Sequence, residues 1–379
     1  MIMLWLPAAV SLLLSSSLHV AGDAGGGVAS LSVRRYDAIF SFGDSLADTG
    51  NNPVVFDWYS IFDPVTRPPY GSTFFGRPTG RNCDGRLVLD FVAERLGLPL
   101  VPPFLAYNGS FRHGANFAVG AATALDSSFF HGAGDPPGAS PFPLNTSLSV
   151  QLSWFDSLKP SLCSTTQGEC KDFFGRSLFF VGEFGINDYH SSFGRRSMQE
   201  IRSFVPDIIR TISMAQKLIG DGATTVVVPG MIPSGCSPPV LVTFADAGAA
   251  EYDASTGCLR EPNEVATLHN SLLLDAVEEL REKHPDVAIM HTDLFRHVSE
   301  MVQNPDKFGF QKDVLSVCCG GPGKYHYNTR IICGDEGATT CVDPSKSLYW
   351  DGVHLTEAAY HYIADDWLHA ITLSARATS

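Results

Sequence analysis

Four short runs in which apolar residues follow one another without alternation stand far apart along the chain: "YDAIFSFGDS", "SLFFVGEFGIND", "TTVVVPG" and "VAIMHTD". Neighbouring side chains of a strand point to opposite faces, so such runs suit parallel strands covered on both sides. Between them the apolar spacing becomes helical, in "GRLVLDFVAERLG", in residues 198–218, in residues 262–283 and in "TEAAYHYIADDWLHAIT". Strands alternating with helices predict a layered α/β/α sheet, whose sites form at the carboxyl ends of the strands. Polar clusters fall at those ends, "GDS" after the first run and "GIND" after the second.

Two long segments interrupt this alternation. Residues 51–85 are rich in Pro, Gly and aromatics, and residues 104–143 are again loop-like. Long loops in compact folds are often binding elements. The aromatics of the first, Trp58, Tyr59, Phe62, Tyr70, Phe74 and Phe75, suit stacking on sugar rings, lining an acyl pocket, or packing between loop and core. No repeat and no linker divides the rest, so residues 25–379 are expected to form one domain. A chain of 379 residues, 44% hydrophobic and 17% charged, has material for a large core. Its net charge of -14, without any block of Lys and Arg, argues against a nucleic-acid partner.

The first 24 residues have an apolar run from Ile2 to Leu14, then small residues with cleavage points after Ala21 or Ala24. They read as a secretory signal peptide, with an uncleaved anchor as the alternative, although the run is short for a bilayer span. No later segment is apolar enough to cross a membrane. Nine cysteines in a secreted chain predict disulfides with one thiol left over. Cys163 and Cys170 bracket "STTQGE" and suit a local bridge. Cys236 with Cys258, and a pairing among Cys318, Cys319, Cys333 and Cys341, are further candidates. No C-x-x-C pair or H-E-x-x-H occurs, so neither a metal nor a cofactor is expected. Sequons at Asn108 and Asn145 accord with the secretory pathway, ending outside the cell, in the wall, or in the Golgi lumen.

Ser45, in "FSFGDSLADTGNN", sits where a strand should end. A serine hydroxyl needs a base and an exposed perch to act as a nucleophile. The same tripeptide also suits a plain turn capping the next helix. The G-x-S-x-G elbow is not met, because Ala47 stands where its second glycine belongs. For a base, His354 in "YWDGVHLTEAAYHYIA" has Asp351 three residues before it at a loop-helix junction. That spacing lets the carboxylate accept from one ring nitrogen and leaves the other facing a serine. Asn187, with Asp188 at the end of the second strand, is either a turn former or an amide donor to a tetrahedral oxyanion. Gly120 in "HGANFAVGAAT" is either a turn glycine or a place where backbone N–H approaches closely. Asp44 and the "DTGNN" tail are expected to shape the turn by side-chain to backbone hydrogen bonds.

Taken in order, "FSFGDSLADTGNN", "GANFAVGAAT", "VGEFGINDY" and "WDGVHLTEAA" resemble the plant GDSL esterase/lipase family of the SGNH hydrolase superfamily, over nearly the whole mature chain. The resemblance implies a three-layer, flavodoxin-like α/β/α fold with a mainly parallel sheet. It implies Ser45 as nucleophile, His354 as base and then acid, and Asp351 as the group orienting it. The oxyanion hole would comprise the Ser45 N–H, the Gly120 N–H and the Asn187 side chain. Two departures stand out: Ala121 replaces the second glycine of the usual pair, and Leu355 replaces the usual proline after the histidine.

The implied activity is ester hydrolysis through an acyl-enzyme. The same residues would make an acyltransferase if an alcohol replaced water. A glycoside hydrolase would need two flanking carboxylates, and no distinctive pair is present. A non-catalytic binding protein on this scaffold predicts loss of Ser45, Asn187 or His354, and all three remain. Family substrates include lipids, acylated specialised metabolites and wall polysaccharides. The absence of a long apolar lid favours short acyl groups, such as acetyl, on a carbohydrate such as xylan.

Overall fold

The computed structural model describes residues 36–131, 142–163 and 167–377. The expected signal peptide lies outside them. The four apolar runs form strands β1 (Ala38–Phe42), β3 (Ser177–Val181), β4 (Thr225–Pro229) and β5 (Ala288–Thr292). A fifth strand, β2 (Gly114–Asn116), lies in a segment that reads as loop, because three residues including a glycine carry no apolar pattern. All pairings within this five-stranded sheet are parallel, in the order β2-β1-β3-β4-β5. This is the flavodoxin-like order, with the crevice of the switch point between β1 and β3.

The helices that matter for the site are α1 (Asn52–Trp58), α2 (Val88–Arg95), α3 (Leu148–Leu162), α4 (Ile186–His190), α5 (Met198–Ser213), α6 (Arg260–Lys283) and α7 (Glu357–Ala377). Adjacent strand residues show how both sheet faces are covered. Phe179 packs with Phe40 and with Phe155 of α3, whereas Phe180 stacks on Trp367 of α7 at 6.0 Å. Every residue of β1, β3 and β4 is buried, which accounts for their unbroken apolar runs.

Four disulfides join Cys163–Cys170, Cys236–Cys258, Cys318–Cys341 and Cys319–Cys333, and the odd thiol is the buried Cys83. The last two bridges, with Val65, Tyr70 and Trp350, form a small second core apart from the main one. No described helix is long and apolar enough to cross a membrane.

Candidate active site

β1 delivers Ser45 through a turn held from two sides. Gln151 of α3, fully buried, accepts from the Gly43 N–H at 2.9 Å and donates to the Gly43 carbonyl at 2.8 Å. A side chain at Gly43 would meet the Gly182 carbonyl oxygen at 2.9 Å, so the strand end requires glycine. Asp44 Oδ1 accepts the Leu46 N–H at 2.9 Å, and the Asp44 carbonyl accepts from Ala47 and Asp48. The expected turn-shaping role of Asp44 is thus met by a side-chain to backbone bond. Downstream, the Asp48 carboxylate accepts four backbone N–H groups, from Gly50, Asn51, Asn52 and Gly120. Burial pushes its pKa up to about 7, and those four donors oppose the rise.

The base arrives from the other end of the chain. The Trp350 N–H donates to the His354 carbonyl at 2.8 Å, and Tyr349 bridges Leu355, closing a short loop that presents Asp351 and His354 together. His354 Nδ1 lies 2.7 and 2.9 Å from the two Asp351 oxygens, and Nε2 lies 2.7 Å from Ser45 Oγ. A carboxylate only accepts, so Nδ1 carries the proton and Nε2 offers its lone pair to the serine hydroxyl. Burial alone would lower the His354 pKa, but the Asp351 charge and hydrogen bond, with Asp44 and Asp63, outweigh it and hold it above the ordinary value. Only a neutral ring could take a proton from the serine hydroxyl. The acid limb of kcat/KM is therefore expected to have its midpoint above about 6.5; a midpoint below that in a pH-rate profile would contradict the electrostatics.

One member of the site has no sequence signature. Tyr70, 3% exposed, donates from its hydroxyl to Asp351 Oδ2 at 2.6 Å and packs edge-on to Trp350. The second core and its two disulfides support it from behind. Within a loop full of aromatics, nothing but its partner distinguishes it. Tyr70→Phe removes a hydrogen bond to a charged group and is expected to lower kcat roughly tenfold, about 1.4 kcal/mol. The less neutralised Asp351 would then raise the His354 pKa, so the acid limb should move to higher pH. A profile with unchanged rate and limb would show that the bond is idle.

Asn187, in α4, and Gly120 also reach the serine turn. Asn187 Nδ2 donates to Asp44 Oδ2 and to the Ala122 carbonyl, both at 3.0 Å. The Gly120 N–H donates to Asp48 Oδ2 at 3.0 Å, and a side chain there would meet Asn52 at 2.4 Å. Both groups thus bond to the residues of the serine turn with their hydrogens engaged, while the Ser45 N–H donates to nothing among the described residues. Asp188, next to Asn187, accepts from the Ala124 and Leu125 N–H groups and so ties the Gly120 loop to α4. Ala121 sits between these elements at φ 63°, a conformation that glycine adopts without strain. Around the site, Trp58, Tyr59, Phe62 and Phe74 are exposed; Phe62 carries Arg67, and Phe74 carries Arg86, over its ring.

The doubly wound sheet thus presents a serine with a histidine and an aspartate in line behind it, and the class of the chain, a serine ester hydrolase, follows from its relatives. The family model for GDSL-like Lipase/Acylhydrolase matches residues 39–367, and the chain belongs to that family. Two GDSL esterase/lipases of Arabidopsis thaliana are 44% identical to it, over 87% and 88% of this chain and 89% and 84% of theirs. A sinapine esterase of Brassica napus is also 44% identical, over 88% of this chain and 85% of its own.

Proposed function

We propose that the enzyme works through an acyl-enzyme on Ser45 and that its natural ester is a short acyl group, best acetyl, on a carbohydrate such as cell-wall xylan. The observation that carries the mechanism is the unbroken line from Asp351 through His354 to Ser45, with both joints at 2.7 Å. His354 takes the Ser45 proton as Oγ attacks the ester carbonyl, then returns it to the departing alcohol. Water, deprotonated by the same ring, releases the acid. The negative oxygen would be met by the Ser45 N–H, by Asn187 keeping its bond to Asp44 and turning the hydrogen now on the Ala122 carbonyl towards it, and by Gly120 released from Asp48.

Exposed aromatics on the loop after α1 support a sugar-binding rim. A secretory route, with a signal peptide over residues 1–24 ahead of a single hydrolase domain, is supported by the four disulfides and by the exposed asparagines of the two sequons, Asn108 and Asn145. The second reading, an ester of a specialised metabolite, has the relatedness to a sinapine esterase in its favour. Acetylated xylan, p-nitrophenyl acetate, a choline ester and a long-chain lipid ester should be assayed side by side, with and without an added alcohol. Preference for acetylated xylan is expected. Preference for the choline or lipid ester would overturn the carbohydrate assignment, and transfer to the alcohol in place of hydrolysis would make the enzyme an acyltransferase.

A further inference from the structure

Glu183 lies two residues beyond the end of β3, is 2% exposed, and takes no part in the chemistry above. Neither of its oxygens meets a donor at full hydrogen-bond geometry among the described residues. Phe42 of β1 pairs with Val181 of β3, and the Gly182 N–H donates to the Phe42 carbonyl at 3.0 Å. The residues two beyond that pair, Asp44 and Glu183, therefore leave the sheet side by side, and the carboxyl that faces Glu183 is that of Asp44. Glu183 also lines a cavity of about 30 Å3, together with Leu46, Phe180, Leu355 and Trp367, which offers no compensating charge. Two ionised carboxylates have no hydrogen to share, and burying both without a cation is prohibitively costly. One proton must therefore lie between them. Asp44 has the better claim to the negative charge, because it already accepts from the Leu46 N–H and from Asn187 Nδ2.

We propose that Glu183 is a positioning residue, a neutral carboxylic acid that donates its proton to Asp44 and so fixes the carboxylate on which the Asn187 amide is oriented. The titrations agree in direction. Burial, then the Asp44 charge, push Glu183 well above the usual carboxylate range, whereas Asp44, opposed by Leu46, His354 and Glu183, rises only to about 6. The ionisable groups facing this pair are Asp188 on α4 and His354 on the C-terminal loop. A protonated acid used as a buried donor is a known way to hold an active site in register. Without it, Asp44 would draw a proton itself and lose its hold on Asn187.

The inference rests on the acyl-enzyme reading, and its test separates the two. Glu183→Gln keeps both shape and donor, so kcat should stay within about threefold of wild type and the acid limb should not move, since no charge is lost. A limb that falls in Glu183→Gln would mean that an ionised Glu183 had been raising the His354 pKa, and would overturn the proposal. The wild-type minus Glu183→Gln infrared difference spectrum at neutral pH should show a protonated carboxyl band, the contributions of Asp48 and Asp188 cancelling between the two proteins; no such band in the difference would do the same. Glu183→Leu should lower kcat about 10- to 100-fold with KM nearly unchanged, and Asn187→Ala about 100- to 1000-fold. Combined, they should be no worse than Asn187→Ala alone. Full additivity would show that Glu183 does not act through Asn187, and if Glu183→Leu does not fold, the Gln variant and the spectra decide. Should Ser45→Ala keep its activity in the same assay, the acyl-enzyme reading would fail whatever Glu183 does.

Discussion

Ser45→Ala is expected to lower kcat by roughly 10^6-fold, the scale on which a serine hydrolase loses its nucleophile. The geometry makes the reason specific. With Oγ gone, His354 Nε2 faces only solvent or substrate, and the Asp351 hydrogen bond behind it orients a base with no acid to act on. His354→Ala should cost about as much, and the double variant little more, because the three side chains act as a unit. Folding should be nearly unaffected in Ser45→Ala, since the turn is held by Gln151, Asp44 and Asp48 and not by the hydroxyl. Two measurements check this: ester turnover, and labelling by a fluorophosphonate, which should mark the wild type and not the variant. Turnover surviving in a folded Ser45→Ala protein would send the nucleophile elsewhere.

How far such a site can be read in advance depends on whether each residue's role shows in its own neighbourhood. The strands β1, β3 and β4 announce themselves because burial on both faces leaves near-continuous apolar runs, and β5, partly buried at Ala288 and His291, is still marked by its short apolar run. β2 does not, because its three residues are defined by pairing with β1 alone. Asp351 and His354 are legible as a pair, three apart on one loop, and Ser45 becomes legible with them. Tyr70 and Gln151 are not: one reaches Asp351 across 281 positions and the other clamps Gly43 across 108, and neither residue type marks such a bond locally. Glu183 is an intermediate case, since an acid two residues after a fully buried strand is already an anomaly. What it touches was beyond the sequence, because Asp44 lies on a different strand end.

The largest expected effect on stability falls on another pair of this kind, Arg81 and Asp90. The guanidinium donates to Asp90 Oδ2 from Nε at 2.8 Å and to Oδ1 from Nη2 at 2.7 Å, with side chains 7% and 0% exposed. Arg81 also reaches the Thr49 carbonyl on the loop that follows Ser45, while Asp90 Oδ2 accepts the Leu87 N–H and so caps α2. Arg81→Met would leave a carboxylate buried with one neutral donor, and is expected to cost about 3 to 5 kcal/mol. Denaturant titration should register that loss as a lower midpoint at an unchanged slope. The Arg81→Met/Asp90→Leu variant removes both charges, and should recover all but about 1 kcal/mol, the remainder being the lost cap. Arg95→Met, which breaks the exposed pair with Asp365, should cost no more than about 1 kcal/mol. If Arg81→Met proved as mild as Arg95→Met, the buried pair would not be what anchors the Ser45 loop to α2. If the double variant were as unstable as Arg81→Met, the cost would lie in the Thr49 contact and the packing of the arginine stem, and not in the orphaned charge.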